Sequence, residues 1–506
     1  MSRSAVVVGA GPNGLAAAIR LAEAGLPVTV LEAADAPGGA VRTQELTLPG
    51  FRHDTFSSVY PAAVASPVFA RLPLERHGLE WVHPQACYAH PLDGERALGL
   101  YRDVTRTAAS LDGAHAGDGA RWARFVEPLL AEFEAIRATM LGGFPPVGGA
   151  LRLVGGLGPL GALGFARLIP DSAHALGRRL FASADARAWL YGSAGHGDVP
   201  PTGAGSAIAV TYLNLLGHAV GWPSPRGGAE RLIDALVGHL RDLGGTVRTS
   251  APVEAIESRA GRVGGVRIAG GERLEAEVVV ADVMPHALCA LAGDALPSAY
   301  RSLLRRYRYG PATVKVDWAL DGPIPWAAAT AREAGTVHVA GDADETVATI
   351  REAETRLPAR PYLLLGQQSV ADPTRAPAGQ HTAWAYTHGP RQGVDWGLEL
   401  ERHVERMEAQ VERYAPGFRE RILARHVMGP ADLQARDRNL VGGDVGGGSY
   451  RLPQVVFRPI PRWSPYRTPL KGLYLGSAAA FPGGAVHGVP GDAAARAALR
   501  DAGQAA

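Results

Sequence analysis

AVVVGAGPNGLAAAIRLAEAGLPVTVLEAADAPGGAVR, residues 5–42, decides the fold. Its apolar opening, Ala5-Val6-Val7-Val8, is short and β-branched, as a strand buried in a parallel sheet must be. Gly9, Gly11 and Gly14 then form G-x-G-x-x-G. The first permits a tight turn, the second lets a pyrophosphate approach the backbone, and the third lets a helix pack on the strand. Pro12 stands where a first-turn proline is tolerated, with Asn13 behind it. The alanine-rich helix runs to Ala24 and is stopped by Gly25. Val28 to Leu31 read as a second strand, and Glu32 follows it. A carboxylate there accepts hydrogen bonds from ribose hydroxyls and repels a 2′-phosphate. A pyrophosphate at the helix start meets free N–H groups and the positive end of the helix dipole. Strand, turn, helix, strand and acid in that order specify a dinucleotide site. A glycine-rich βαβ unit that binds nothing leaves the position of Glu32 without a reason.

The chain has 506 residues, enough for two or more cores. At 46% hydrophobic and 20% charged it has the composition of an ordinary soluble globular protein. A net charge of +2 implies no nucleic-acid partner. Basic residues are almost all arginine, and Lys315 and Lys471 are the only lysines. Cys87 and Cys289 form no C-x-x-C pair, which excludes a redox-active disulfide of the disulfide-reductase kind and gives no basis for a zinc site. The apolar N-terminus reads as the first strand rather than a signal peptide. No uninterrupted apolar run of about 20 residues occurs. The expectation is a cytoplasmic protein with no spanning helix.

Three separated stretches read as one nucleotide domain: residues 1–80, 223–292 and 440–506. Two inserts, 81–222 and 293–439, read as a substrate or cap domain. The first insert is mostly helical. The second mixes strands (Thr313 to Leu320, Tyr362 to Leu365, Thr382 to Tyr386) with an amphipathic helix from Leu398 to Tyr414, whose Val404, Met407, Val411 and Tyr414 share a face. Leu153 to Ala166 and Val199 to Pro225 carry no Asp, Glu, Lys or Arg. Prolines and glycines interrupt both, so neither is expected to span a bilayer. They read either as an apolar tunnel or shallow membrane-docking face, or as buried helices packing on a sheet. Gly156, Gly158 and Gly161 repeat the G-x-G-x-x-G spacing, but no strand ending in an acid follows, so no nicotinamide site is assigned there.

Beyond Glu32 and Ala33 come Gly38-Gly39 and Arg42-Thr43, which a domain for NAD has no need of. This segment resembles the one that follows the βαβ unit in the phytoene desaturase and flavin amine oxidase superfamily. Pro225-Arg226-Gly227-Gly228, with Leu232 and Ala235-Leu236, resembles the family's P-x-G-G helix start. Ala251-Pro252-Val253-Glu254-Ala255-Ile256 resembles the strand whose backbone, at Val253, touches the adenine. Gly472 to Ser477, Pro482-Gly483-Gly484 and Gly488-Val489-Pro490-Gly491 resemble the C-terminal flavin motif. The resemblance is closest to bacterial phytoene-desaturase-like proteins, and extends to a branch named for a pyridine nucleotide-disulphide oxidoreductase domain, although this chain has no disulfide motif.

The resemblance implies an α/β fold: a discontinuous, glutathione-reductase-like Rossmann-type FAD-binding domain with an inserted α+β substrate domain. It implies FAD held without a covalent bond, since no cysteine lies near the C-terminal motif. Cofactor contacts are then expected from the first loop (Gly9, Gly11, Pro12, Asn13, Gly14), from Glu32 and Ala33, and from Gly38, Gly39 and Arg42. Val253 is expected to add the adenine contact, and Gly476, Ser477, Gly488 and Val489 the C-terminal ones. A helix from Ala493 to Leu499 would present its positive end to the flavin's pyrimidine edge.

Lys315, in Y-G-P-A-T-V-K-V-D-W-A-L, stands where a lysine of the amine oxidases reaches the flavin N5 through a water. The bland alternative is a solvated strand lysine sharing a face with Asp317. His487 precedes Gly488 and reads as a general base, as a donor to the flavin carbonyl, or as a histidine hydrogen-bonded within its turn. Asp54 is by default a surface carboxylate, and His218 a satisfied core histidine. The chain departs from the amine oxidase pattern, for Ala478-Ala479-Ala480-Phe481 offers no aromatic pair to cage an amine. The expected activity is hydride transfer between a hydrophobic, unsaturated small molecule and flavin N5, with oxygen or a quinone as acceptor. The alternatives are an amine or amino-acid oxidase and a non-catalytic flavin-fold binding or escort protein.

Overall fold

Five parallel strands meet behind the first glycine turn. Their order across the sheet is Leu473–Leu475, Val278–Ala281, Ala5–Val8, Val28–Leu31, Thr246–Arg248, so Val7 lies between Val280 and Val30. The computed structural model describes residues 4–504. Short valine runs form these strands because both faces of the sheet are covered, which leaves no polar side to alternate with. On one face lie Val7 and Val280 with the helices Pro12–Glu23, Glu230–Asp242 and Val489–Asp501. On the other, Val6, Val8 and Val279 meet an antiparallel three-stranded sheet and the helix Pro285–Ala292. Gly25, at φ +80°, ends the first helix as its position suggested.

A second, mixed sheet of seven strands stands over the first domain. Its order is Ile422–Met428, Ala312–Leu320, His381–Gly389, Leu363–Gly366, Ala334–Val339, Ala86–Pro91, Ala97–Leu100. One face carries Val314, Val316, Trp318, Val337 and Leu365. The helix Trp396–Tyr414 lays Val404, Met407, Val411 and Tyr414 into the same core, started by the Asp395 carboxylate, which accepts the Gly397 N–H. The last two strands come from the first insert, which the helical reading of residues 81–222 leaves out. Pro91-Leu92-Asp93-Gly94 is the hairpin signal between them.

The two uncharged stretches part company. Val199 to Pro225 folds around a largely buried helix, Ser206–Ala219. The helix Val147–Ala166 is instead mostly exposed, with Leu151 at 68% and Leu160 at 85%. Among the described residues it is the one helix long and apolar enough to cross a membrane, with 17% of its most apolar window buried. It is broken where Gly158 takes φ +68° before Pro159, so two short helices meet there. Burial on a sheet, one of the two expectations for it, does not hold. The Gly156, Gly158 and Gly161 spacing lies within this exposed helix, with no strand leading into it.

Candidate functional site

The first loop is closed where a fold needs it closed and open where a ligand needs it open. A β-carbon on Gly14 would fall 2.0 Å from the Gly9 carbonyl oxygen, so no side chain fits between strand and helix there. Gly9 holds φ +100°, which only glycine adopts without strain. Around Gly11, only the Asp282 carboxylate oxygen comes within 4 Å of such a carbon, at 3.1 Å. The helix behind Pro12 has no side-chain cap and no acidic residue in its first turn, which leaves its dipole for an anion. Asn13 keeps a buried Oδ1 without a partner. Gly38 donates its N–H to the Ala10 carbonyl at 2.9 Å, and Gly39 rests on Gly11, its β-position 3.3 Å from the Gly11 Cα. The Arg42 guanidinium beside them donates to the Ala36 carbonyl and lies 3.6 Å from Asp35.

Glu32 is fixed over this loop. Its Oε2 accepts the Ala10 N–H at 2.8 Å and its Oε1 the Ala34 N–H at 2.9 Å, with Ala33 exposed between. Ala251 donates to the Glu32 carbonyl at 2.8 Å, and this brings the Val253 strand alongside. From the far end of the chain, Gly476 donates to the Ala281 carbonyl at 3.0 Å, and Ser477 is buried. Gly488, at φ +70°, fits between Ala16 and Phe69, with Val489 buried behind it. Both chain ends therefore converge on one cleft edge, and the cradle of glycines, the uncapped helix and the ribose-side acid fit FAD.

A second acid, not foreseen, lies under the loop. Asp282 accepts the Gly14 N–H at 2.9 Å. Burial pushes its carboxyl up to about 8; the Gly14 N–H opposes this, and Asp437 and Glu32 add to it. Asn439 locks the segment by donating to the Asp282 carbonyl and accepting the Met284 N–H, both at 3.0 Å. The signal was present: Val278 to Ala281 then Asp282 repeats the strand-then-acid pattern of Val28 to Leu31 then Glu32.

Lys315 is buried, not solvated: its strand is paired on both sides in the second sheet and buried along its whole length. Its Nζ reaches both oxygens of Asp317 at 2.5 Å and lies 5.8 Å from the Trp384 ring centre. Burial lowers the Lys315 ammonium's pKa against the pull of Asp317, and raises the Asp317 carboxyl to about 6. On the same face Lys315 opposes Tyr386, Asp317 opposes Trp384 and Thr313 opposes His388. Trp384 and Tyr386 are stacked 5° from parallel, with centres 6.1 Å apart. Burial holds His388, His90 and His196 neutral at about 4, about 4 and about 3. His388 has a partnerless Nε2 and lines a cavity of about 380 Å³ with Tyr309, Tyr362 and Ser449.

Asp54 is no surface carboxylate. It is buried against Arg375 at 2.7 Å and accepts the Thr43 and Ser58 hydroxyls and the Ala229 N–H. It ties the Thr43 segment, the start of the Glu230–Asp242 helix and the second sheet together. His53 sits 3.7 Å from Asp317, its pKa lowered to about 3 by burial and by Lys315 and Arg375. His218 accepts the Trp122 indole N–H at 3.1 Å, a satisfied core histidine. His487 has both ring nitrogens engaged inside its own turn, Nδ1 accepting from Val489 and Nε2 donating to the Gly484 carbonyl, each at 3.2 Å. Burial lowers its pKa to about 4. An aromatic line leads outward from the turn: Phe481 to Phe144 at 5.3 Å, then Phe144 to the exposed Phe457 at 6.3 Å.

Residues 13–499 match the family described as flavin containing amine oxidoreductase. A rat protein named pyridine nucleotide-disulfide oxidoreductase domain-containing protein 2 is 29% identical, over 98% of this chain and 93% of its own. The all-trans-zeta-carotene desaturase of Myxococcus xanthus is also 29% identical, over 95% of this chain and 90% of its own. Among solved structures, an oxidoreductase from Methanosarcina mazei aligns with TM-score 0.65 at 18% identity, covering 97% of this chain and 98% of that one. Cyclohexylamine oxidase from Brevibacterium oxydans aligns with TM-score 0.60 at 18% identity over the whole of both chains. The cofactor is FAD, and the chain belongs to the flavin containing amine oxidoreductase family.

Proposed function

We propose that the protein is an FAD-dependent dehydrogenase or desaturase that takes a hydride from a C–H bond of a hydrophobic, unsaturated substrate and passes the electrons to oxygen or a quinone. The observation that carries this reading is the apolar approach to the flavin turn. Phe457, Phe144 and Phe481 lead from the surface to Pro482-Gly483. At the outer end Phe457 and Trp463 are exposed, as are Leu151 and Leu160 of the helix Val147–Ala166. Arg152 and Arg167 are the charged residues of the stretch 142–170, which holds no acid. Such a face suits peripheral contact with an anionic lipid surface, from which an apolar substrate would enter.

FAD supplies the hydride acceptor when bound. The chain's own residues supply position and charge. Lys315, steadied by Asp317, orders a water for the ring. His487 keeps the shape of the turn. His388, with a partnerless Nε2 on the cavity wall, takes the proton that leaves with the hydride. The carboxylates near an ammonium substrate are already engaged: Asp317 by Lys315, Asp54 by Arg375, and on the cavity wall Asp198 by Ser449 and Tyr450 and Glu354 by Arg451. The relatives with desaturase names support the same reading.

The parallel Trp384–Tyr386 pair favours a second reading, oxidation of an amine held against aromatic faces. Anaerobic titration of the yellow protein separates the two. Bleaching of the flavin band by polyenes or long unsaturated lipids, and not by amines, is the expected result. Bleaching by amines alone overturns it, and a purified protein without flavin absorbance favours an escort or binding role.

A further inference from the structure

Three guanidiniums and two carboxylates share the wall of the cavity that His388 lines. Both acids are engaged. Asp198 accepts the Ser449 hydroxyl and, at 2.7 Å, the Tyr450 N–H. Glu354 takes the Arg451 Nη2 at 2.9 Å, and the Arg451 Nε lies 3.8 Å from Asp198. Arg308 and Arg391 are left over, for neither forms an ion pair among the described residues. Behind the wall Asp444 is buried, turned to the N–H groups of Gly310, Gly446 and Gly448, with the buried Arg458 as its neighbouring cation.

The two leftover arginines are held without being used up. The Arg391 Nη1 donates to the Gly310 carbonyl at 3.1 Å and to the Val441 carbonyl at 2.9 Å. Its guanidinium lies 5.4 Å from the Tyr309 ring centre, which steadies it further. Its Nη2 and Nε donate to nothing among the described residues. Arg308 is pinned by its main chain, whose N–H donates to the Gln454 Oε1 at 2.9 Å and whose carbonyl accepts the Ser449 N–H at 3.0 Å. Its side chain makes no hydrogen bond among the described residues. On a convex surface such arginines are ordinary, because water takes their donors. Here both line a concavity of about 380 Å³ whose other walls include Pro311, Ile350, Ala353 and Tyr362. An apolar hollow with a few converging charged donors suits a ligand that is apolar along its length and anionic at one end.

We propose that this cavity binds the anionic end of the substrate: a carboxylate accepts hydrogen bonds from Arg391 and Arg308, and the apolar remainder lies along Ile350 and Tyr362. The substrate class is then an unsaturated acid rather than a neutral hydrocarbon. The wall carries one positive charge in excess, which matches the single charge of a carboxylate; a phosphate monoester brings about 1.5 to 2. The planar fork of a guanidinium also fits a carboxylate. Arg391 follows the end of the strand His381–Gly389, three residues after His388, so the head-group site and the group that takes the proton share one wall. The assignment rests on the reading of the protein as an oxidant of hydrophobic, unsaturated molecules, and narrows it.

The test is calorimetric titration of the oxidised holoprotein with decanoate, decanol and decyl phosphate, in wild type, R391Q and R308Q. Wild type binds decanoate about tenfold or more tightly than decanol, the factor that a hydrogen bond to a charged group supplies. Each variant loses about that factor for decanoate and none for decanol. The Arg308 side chain has no partner in the protein to lose, so R308Q carries the test where R391Q disturbs its loop. Equal binding of acid and alcohol by wild type overturns the proposal, as does a preference for the acid that neither variant reduces. Tighter binding of decyl phosphate that depends on Arg391 also overturns it, and assigns the cavity to a phosphate. Bleaching of the flavin band reads the reaction apart from the site. Bleaching by polyene hydrocarbons, with no preference for decanoate, sinks the site and leaves the proposed reaction. Decanoate bound through Arg391 in a protein that amines alone bleach sinks the reaction and the substrate assignment with it, and leaves an anion site.

Discussion

Gly491 stands on the backbone of Asn13: a β-carbon at Gly491 would lie 1.8 Å from the Asn13 carbonyl oxygen. This contact joins the last helix of the chain to the first. Asp492, next in line, is buried and draws in Arg20, Arg496 and Arg71 at 2.8, 2.9 and 3.2 Å. The flavin cleft exists because the two chain ends are locked together at this point.

Gly491→Ala and Gly11→Val separate assembly from ligand contact. At Gly491 there is no room, so the alanine forces the helices apart and costs about 1–3 kcal/mol, with flavin lost as a consequence. Gly11 has φ −71° and only the Asp282 oxygen nearby, so the valine folds and excludes the pyrophosphate. Thermal unfolding and flavin absorbance check this: G491A falls in both, G11V in flavin content alone. Full flavin occupancy in G11V shows the cofactor loop to be elsewhere.

Lys315→Met leaves Asp317 buried without its partner. The expected loss of stability is about 3–5 kcal/mol. K315M/D317L removes both charges and recovers much of it, while the rate of flavin reduction or reoxidation stays low. A double-mutant cycle in denaturant measures the coupling; near-additive losses contradict the pairing.

Asp282 makes stability depend on pH. The folded protein holds this proton up to about 8, whereas a free aspartic acid releases it near 3.8. Between those values the folded state binds more protons than the unfolded, so this group's contribution falls as pH rises through the window and levels off above it. Flavin affinity weakens over the upper end, as a carboxylate forms beneath the pyrophosphate loop. Asp282→Asn keeps an acceptor for the Gly14 N–H and flattens both profiles. Identical profiles in wild type and D282N contradict the raised pKa.

The exposed helix gives a surface prediction. Vesicles rich in anionic lipid pellet the wild-type protein, and neutral vesicles pellet less of it. Leu151→Glu with Leu160→Glu abolishes the effect and leaves flavin content unchanged. A concentration-dependent dimer that the double variant dissolves, with no vesicle binding, assigns the face to a second copy of the chain.

The parts of this molecule that rest on neighbours in the sequence were legible from it. Gly9 to Glu32 need only local spacing, and the βαβ unit has the strands and turn expected. Asp282 carries the same strand-then-acid signature, but its meaning depends on Val278–Ala281 pairing with Ala5–Val8, a relation between distant segments. Asp54 reads as a loop carboxylate until Arg375 arrives from the far insert to pair with it. The bland reading of Lys315, a solvated strand lysine, holds until strands on both sides and the His53 segment close over it. Arg458 lies in a proline-rich run with no periodicity, so nothing local marks it as buried.

Product analysis tests the central claim most directly. Under anaerobic conditions the holoprotein is incubated with the hydrophobic substrate that bleaches it, and the organic products are examined by mass spectrometry. The account predicts a product lacking two hydrogens, formed one for one with reduced flavin. Release of ammonia or an aldehyde from an amine, with every polyene and unsaturated lipid returned intact, would contradict it.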